Sequence, residues 1–536
     1  MTPRRFGPTL IRWIAGGTAA LLLVAGRPAK AAEASPIAQT SAGRIRGYVD
    51  NGINVFKGVP YGDDTAKHRF QPPVPPVPWE GVRDTVAFGP MAPQPGGRGG
   101  TDFFPTPPAD TKISEDCLTL NVWTPALRDH GKRPVLVYFH GGGFNGWSVN
   151  VDAYDGVRLC RRGDVVVVTV NHRLNGFGYL YLAELGGPEF ASSGNAGMLD
   201  LVLSLQWVRD NIAEFGGDPG CVTIFGQSGG GAKCATLMAM PAAHGLFHRV
   251  LTMSGQQLVG RTREHATETA RGVLKALNLT PETIDRIKTV PMEKLMAAMR
   301  GGEWTPVVDG TVLPRDPFSP DAPPQSADVP MILGNTHDET AYFYGRSQPS
   351  PFDITWEQLP GRIKQAVSQY IADIPPEEIV AEYRRLYPAD TASDVFFAAT
   401  TAARSWRGMV IECERRAAQG GPTYAYNLTW NTPVDGGKWK APHTLDIPLF
   451  FDNTAYTPGM TGDGDEARKV AALMSDSLIA FARTGNPKTP ALPAWPRFDR
   501  EKRATMLFDA TPRVEDDPRG AERKFFAPVT YNQPGR

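Results

Sequence analysis

Five short apolar runs limit what this chain can fold into: residues 135–139, 165–170, 221–225, 250–253 and 331–333. Each is rich in β-branched or aromatic residues and apolar almost throughout, the composition of strands buried on both faces. The later runs stand tens of residues apart, and several of the gaps carry helical spacing. Residues 198–215 set Leu199, Leu203, Trp207, Val208 and Ile212 on one helical face. Strands alternating with helices imply a large, mostly parallel sheet flanked by helices, an α/β fold. Residues 424–428 read as a late strand of the same sheet.

Two regions break the alternation. Residues 71–112 are rich in Pro and Gly and read as loop laid over the surface. Residues 355–417 read as helices, such as 376–387, forming a cap. The chain has no internal repeat and no linker polar enough to part independent domains. The expectation is therefore one domain, residues 32–536, with cap insertions.

Residues 1–31 stand apart from the rest. Arg4, Arg5 and Arg12 precede an apolar stretch, residues 14–26, followed by Ala29-Lys30-Ala31. A charged start, a short apolar segment and a small-x-small site read as an export signal cleaved near Ala31. The apolar segment is too short to span a bilayer, so no stable membrane span is expected after cleavage. Arg4-Arg5-Phe6 permits a twin-arginine route, and the expected location is the periplasm or beyond.

Acidic and basic residues balance at 56 each in the full chain, and loss of the leader leaves 51 basic against 56 acidic. That balance offers no electrostatic case for binding nucleic acid. Five cysteines (117, 160, 221, 234 and 413) show no metal-binding spacing and read as free core thiols. No metal and no cofactor is expected, and the sequence leaves the oligomeric state open.

Chemistry first becomes visible at Gly226-Gln227-Ser228-Gly229-Gly230. The pentapeptide follows a strand-like run and opens a helix-like one. A sharp strand–turn–helix junction lifts a serine hydroxyl off the backbone and sets it near a helix N-terminus, where negative charge is favoured. Upstream, His140-Gly141-Gly142-Gly143-Phe144 directly follows the strand 135–139. Consecutive glycines there let backbone N–H groups face a cavity, as an oxyanion hole requires. A base must follow the serine, and His443 is placed for it, in a loop behind Pro442 and beyond the candidate acids. The acid should leave a strand's C-terminal end, where residues 332–339 offer both Asp338 and Glu339. These residues alone do not choose between the two.

With these motifs in place the chain resembles the type-B carboxylesterase/lipase family, which has the α/β-hydrolase fold and includes the cholinesterases, and within it looks like a bacterial para-nitrobenzyl-esterase-like member. The resemblance runs from about residue 37 to about residue 510. It includes Gly58–Tyr61, Arg69-Phe70, residues 115–122, the glycine loop 141–143, Asn171-His172-Arg173, residues 194–197 with Asp200, residues 211–219, the serine turn, Val308-Asp309-Gly310, Asp338-Glu339, His443 and residues 484–487. It implies a serine carboxylesterase acting on small-molecule esters. It further implies Ser228 as nucleophile, His443 as general base and then acid, and Glu339 as the orienting acid. The N–H groups of Gly142, Gly143 and Gly229 are implied as the oxyanion hole, with Ser254 supporting the acid and histidine through hydrogen bonds.

Three departures from the family pattern stand out. Gln227 and Gly229 occupy positions where the family commonly has Glu and Ala, so a more flexible turn is expected. The disulfide partner that the family pattern implies for Cys117 is replaced by Ala92, which leaves loop 92–117 untethered and, on this reading, mobile. That loop carries Phe103 and Phe104 but no Trp, so the cholinesterases' aromatic platform for cations has no counterpart. Choline esters are therefore disfavoured. The alternatives are an amide, carbamate or lactone hydrolase or a lipase with the same machinery, and, more remotely, a non-catalytic binding domain of this fold.

Overall fold

The chain was analysed as a computed structural model, which describes residues 35–94, 103–371 and 373–533. The expected leader at 1–31 lies outside the described residues, as do residues 95–102 of the loop expected to be mobile. Within Ser35–Arg536, one compact unit, eleven strands pair into one sheet. In chain order they are β1 (Tyr48–Asp50), β2 (Ile53–Pro60), β3 (Thr119–Thr124), β4 (Arg133–Phe139), β5 (Val166–Val170), β6 (Gly217–Gln227), β7 (Arg249–Met253), β8 (Met331–Thr336), β9 (Thr423–Leu428), β10 (Thr505–Phe508) and β11 (Arg513–Glu515). Their order across the sheet is β11-β10-β9-β8-β7-β6-β4-β5-β3-β2-β1. The strands from β10 through β5 are mutually parallel, while β11 at one edge and β3, β2 and β1 at the other are antiparallel.

The five apolar runs are β4 to β8, and the late run is β9. Their apolar composition follows from burial on both faces. Along β4, Leu136 and Tyr138 face one core cluster while Val135, Val137 and Phe139 face the other. All five are fully buried, so the sheet parts two cores with the two-residue period of a strand. A small separate sheet pairs Ile37–Gln39, Arg44–Arg46 and Val82–Asp84.

Two elements differ from expectation. The helix expected over 198–215 runs Ala196–Asn211 and then tightens into a 3-10 turn, Ile212–Phe215. Gly216 at φ +69° ends it, the left-handed cap that glycine favours. The helices after residue 355 do not all form a cap. Arg407–Ala418 lies against β8 and β9 and buries Met409, Val410 and Cys413 in the core on that face. All five cysteines are free, four of them buried and Cys221 half-buried. Among the described residues no helix is long and apolar enough to cross a membrane.

Candidate active site

β6 stops at Gln227 and the helix Gly229–Met238 begins two residues later, leaving Ser228 to make the whole turn. It does so at φ +57° and ψ −126°, a conformation that costs a non-glycine residue on the order of 1–3 kcal/mol. The surroundings hold it there: the Ser228 N–H donates to the Met253 carbonyl at 2.7 Å, and the Ser228 carbonyl accepts from Ala232 N–H at 3.0 Å. The turn is also crowded. A Cβ on Gly230 would lie 1.9 Å from the Phe139 carbonyl, so only glycine lets the new helix start this close to β4.

Ser254 and Glu339 come from the ends of the next two strands. Glu339 is fully buried and opens the helix Glu339–Tyr344. One of its oxygens accepts from the Ser254 hydroxyl and from Thr336 N–H at 2.9 Å; the other bonds His443 Nδ1. Burial alone would raise this carboxyl's pKa. The facing His443 imidazole and the donors from Ser254 and Thr336 outweigh burial and hold it below the ordinary glutamate value. Glu339 is thus an acceptor whose second oxygen meets the Nδ1 edge of the His443 ring. Asp338, also buried, turns elsewhere, accepting from His337 Nδ1 at 3.1 Å and Ala441 N–H at 3.3 Å.

His443 is walled by Phe343, whose ring centre lies 4.7 Å from its own, and by Tyr342 at 5.8 Å. Gln227 Nε2 lies 3.0 Å from His443 Nε2 and 3.3 Å from Nδ1. An atom nearly equidistant from both nitrogens sits over the ring face, so this amide does not occupy the in-plane lone pair of Nε2.

The glycine loop after β4 closes the site from the other side. Gly141, Gly142, Gly143, Ser228, Gly229, Ser254 and His443 line one cavity of about 430 Å³. Loop and serine turn meet closely: a Cβ on Gly229 would lie 2.2 Å from the Gly143 carbonyl oxygen. The turn expected to be loosened by Gly229 is instead packed shut against the loop. Beneath the loop is Lys233, fully buried, whose ammonium donates to the His140 and Gly143 carbonyls at 2.9 Å each. Burial pushes its pKa down to about 7. The same burial, with Lys233 nearby, keeps the stacked imidazoles of His140 and His172 well below their ordinary pKa and therefore neutral.

Gly142, Gly143, Ser228, Gly229, Ser254 and His443 thus fall at this cavity, Glu339 lies directly behind it, and Asp338, the other candidate acid, does not line it. The sequence reading missed Lys233. Its only signal was a lone charge in Gly229–Met238, a helix otherwise made of Gly, Ala, Cys, Thr, Leu and Met. It also missed Arg404, which lines the cavity from the cap side. Phe103 and Phe104 are both buried. Phe104 packs on Trp147 and Tyr154 and lines the cavity, and Phe103 packs on Trp439.

A mostly parallel sheet with a strained serine after one central strand, an acid after another and a histidine in a later loop defines an α/β-hydrolase. The model of the carboxylesterase family matches residues 34–526. The chain is 33% identical to the para-nitrobenzyl esterase of Bacillus subtilis (strain 168) over 506 residues, covering 92% of this chain and 98% of that one. It is also 33% identical to the phenmedipham hydrolase of Pseudarthrobacter oxydans over 494 residues, covering 88% and 94%. The crystal structure of carboxylesterase EST55 of Geobacillus stearothermophilus superposes with a TM-score of 0.78 at 36% identity, over 91% of this chain and 99% of that one. The chain belongs to the carboxylesterase family and is a carboxylic ester hydrolase.

Proposed function

We propose that this esterase works through an acyl-enzyme, with Ser228 as nucleophile, His443 as general base and Glu339 as the acid that orients it. Ser228 Oγ attacks the ester carbonyl while His443 Nε2 takes its proton, and the same imidazole then protonates the departing alcohol. Water repeats the sequence and releases the acid. The N–H groups of Gly142, Gly143 and Gly229 receive the oxyanion, the last of them at a helix N-terminus, where its charge is further favoured. Ser254 keeps Glu339 aimed at the ring.

The observation that carries this reading is the buried Glu339–His443 bond beside a serine held at positive φ on the same cavity. Phe104, Phe144, Trp147, Trp304, Tyr342 and Phe343 give that cavity a largely aromatic wall suited to small aryl and short acyl esters.

The two adjacent carboxylates provide the test. Glu339→Gln keeps the shape but lets the amide fix the wrong histidine tautomer, so kcat should fall about 10⁴-fold, as for the acid-to-amide change in other serine triads. Asp338→Asn should stay within about tenfold of wild type on the same p-nitrophenyl ester. A larger loss in the Asp338 variant would contradict the assignment.

A further inference from the structure

The cavity lining includes one arginine, Arg404, that meets no carboxylate among the described residues. Arg404 sits in a π-helical turn, Ala402–Trp406, between the helices Ala392–Thr401 and Arg407–Ala418. Such single-turn widenings of a helix cluster at functional sites, because they push one side chain out of helical register. Here the guanidinium carbon lies 3.8 Å from the centre of the Phe343 ring, and Phe343 in turn lies 4.7 Å from the ring of His443. Those two distances bound the separation of guanidinium and imidazole by their sum.

Among the described residues Arg404 has no carboxylate partner. Its side chain makes a single hydrogen bond, to the Ser405 hydroxyl at 3.3 Å. Most other half-buried arginines among the described residues reach carboxylates or two or more carbonyls, as Arg69 and Arg503 do. Among the described lining residues the carboxylate is that of Glu303, which is 63% exposed and faces Arg261 at 3.7 Å, so its charge is spent outward. The aromatic part of the cavity therefore presents one guanidinium without a described carboxylate partner, while the Glu339 carboxylate behind the wall is engaged by His443 and Ser254, and a guanidinium set over a phenyl ring leaves N–H groups free for a bidentate acceptor.

We propose that Arg404 is a specificity-determining residue that receives a carboxylate of the substrate, so that the preferred esters carry a free acid group a few bonds from the scissile carbonyl. Half-esters of short dicarboxylic acids and acyl esters of hydroxy acids are the two forms of that chemistry. This rests on the esterase reading above. Contact with the Phe343 ring holds the guanidinium at the cavity wall, and the substrate's carboxylate is drawn in toward it on the imidazole's side of the cavity. A neutral ester of the same shape gains none of this.

The experiment compares matched pairs: p-nitrophenyl hydrogen glutarate against its methyl ester, and 4-acetoxybenzoate against its methyl ester. For at least one pair the wild-type enzyme should favour the acid in kcat/KM. In Arg404→Gln that acid-to-neutral ratio should fall about 10- to 100-fold, the range for a lost charge-assisted hydrogen bond, with Arg404→Lys between the two. The pair that responds tells whether the acid sits on the acyl or the alcohol side. Should the variants fail to fold, the wild type alone still decides. Raising NaCl from about 20 mM to about 500 mM should erode the acid ester's advantage several-fold and leave its neutral partner unchanged. An unchanged ratio in Arg404→Gln, or a wild-type ratio in favour of both neutral esters, overturns the assignment of Arg404 alone. No turnover of any of the four esters overturns the esterase reading and this one with it.

Discussion

Lys233 and Gly229 act on the same atom. The Gly143 carbonyl is drawn toward the buried ammonium at 2.9 Å, and it lies where a side chain at position 229 would have to go. The two positions therefore read as one adaptation: glycine after Ser228 admits the loop, and the lysine pulls it in. A buried ammonium held by two backbone carbonyls costs desolvation that its hydrogen bonds must offset. Lys233→Met keeps much of the volume but leaves both carbonyls without a donor, at about 1–3 kcal/mol for each unsatisfied group. The loop should then relax away from Gly229 and take its oxyanion donors with it. The expected result is a fall in kcat of about 10²-fold with KM changed less than about threefold. A kcat within twofold of wild type would show that the loop needs no such anchor.

At the scale of elements, the groups at the cavity leave the C-terminal ends of adjacent parallel strands. The glycine loop follows β4, Ser228 follows β6, Ser254 follows β7 and Glu339 comes shortly after β8. This much was legible in the sequence, since apolar runs with helical gaps dictate a parallel sheet, and ligands collect at such strand ends. The serine turn was legible too, because only glycines permit approaches as close as that of Gly230 to Phe139. Strands β1 to β3 were not. They carry polar residues such as Asn54, Asn121 and Thr124 at buried or half-buried positions, where neighbouring chain satisfies them: Asn121 bonds Gly58 N–H and the Thr169 hydroxyl. The choice between Asp338 and Glu339 was equally hidden from local pattern. It depends on which side chain meets a histidine 104 residues away, and only the family likeness pointed to Glu339. Arg404 left no sequence signal at all, because its meaning lies in the absence of a partner in space.

Over the whole molecule, two buried carboxyls make stability depend on pH in an unusual direction. Glu412 in the helix Arg407–Ala418 accepts from Gln257 N–H at 2.5 Å, and burial raises its pKa to about 8. Asp446 accepts from the Tyr426 hydroxyl at 2.8 Å, and burial, then the charge of Glu339, raises it to about 7. Both are protonated in the fold at pH 6 yet ionised in the unfolded chain, whose carboxyls titrate near 4. Their contribution is complete below about pH 4 and is lost as pH climbs through 7 for Asp446 and 8 for Glu412. Each should cost about 1.4 kcal/mol per pH unit over that window. Glu339 and Glu522, both held below their ordinary pKa against burial, act oppositely and lose their contribution as pH falls below about 4. His140 and His172, buried neutral, and Lys233, lowered to about 7, act in the opposite sense over this range, so the test is the difference between two proteins: in urea unfolding from about pH 5 to pH 8, Glu412→Gln should gain on wild type by about 1.4 kcal/mol per pH unit. A difference that does not change with pH would refute the assignment of the Glu412 proton.

On the proposed mechanism Ser228 at the strained turn carries the acyl group. The direct measurement is steady-state hydrolysis of a p-nitrophenyl ester by purified Ser228→Ala beside wild type. A fall in kcat of about five to six orders of magnitude, as for other serine triads, is the predicted result. Turnover near the wild-type rate would contradict it and move the chemistry to another residue.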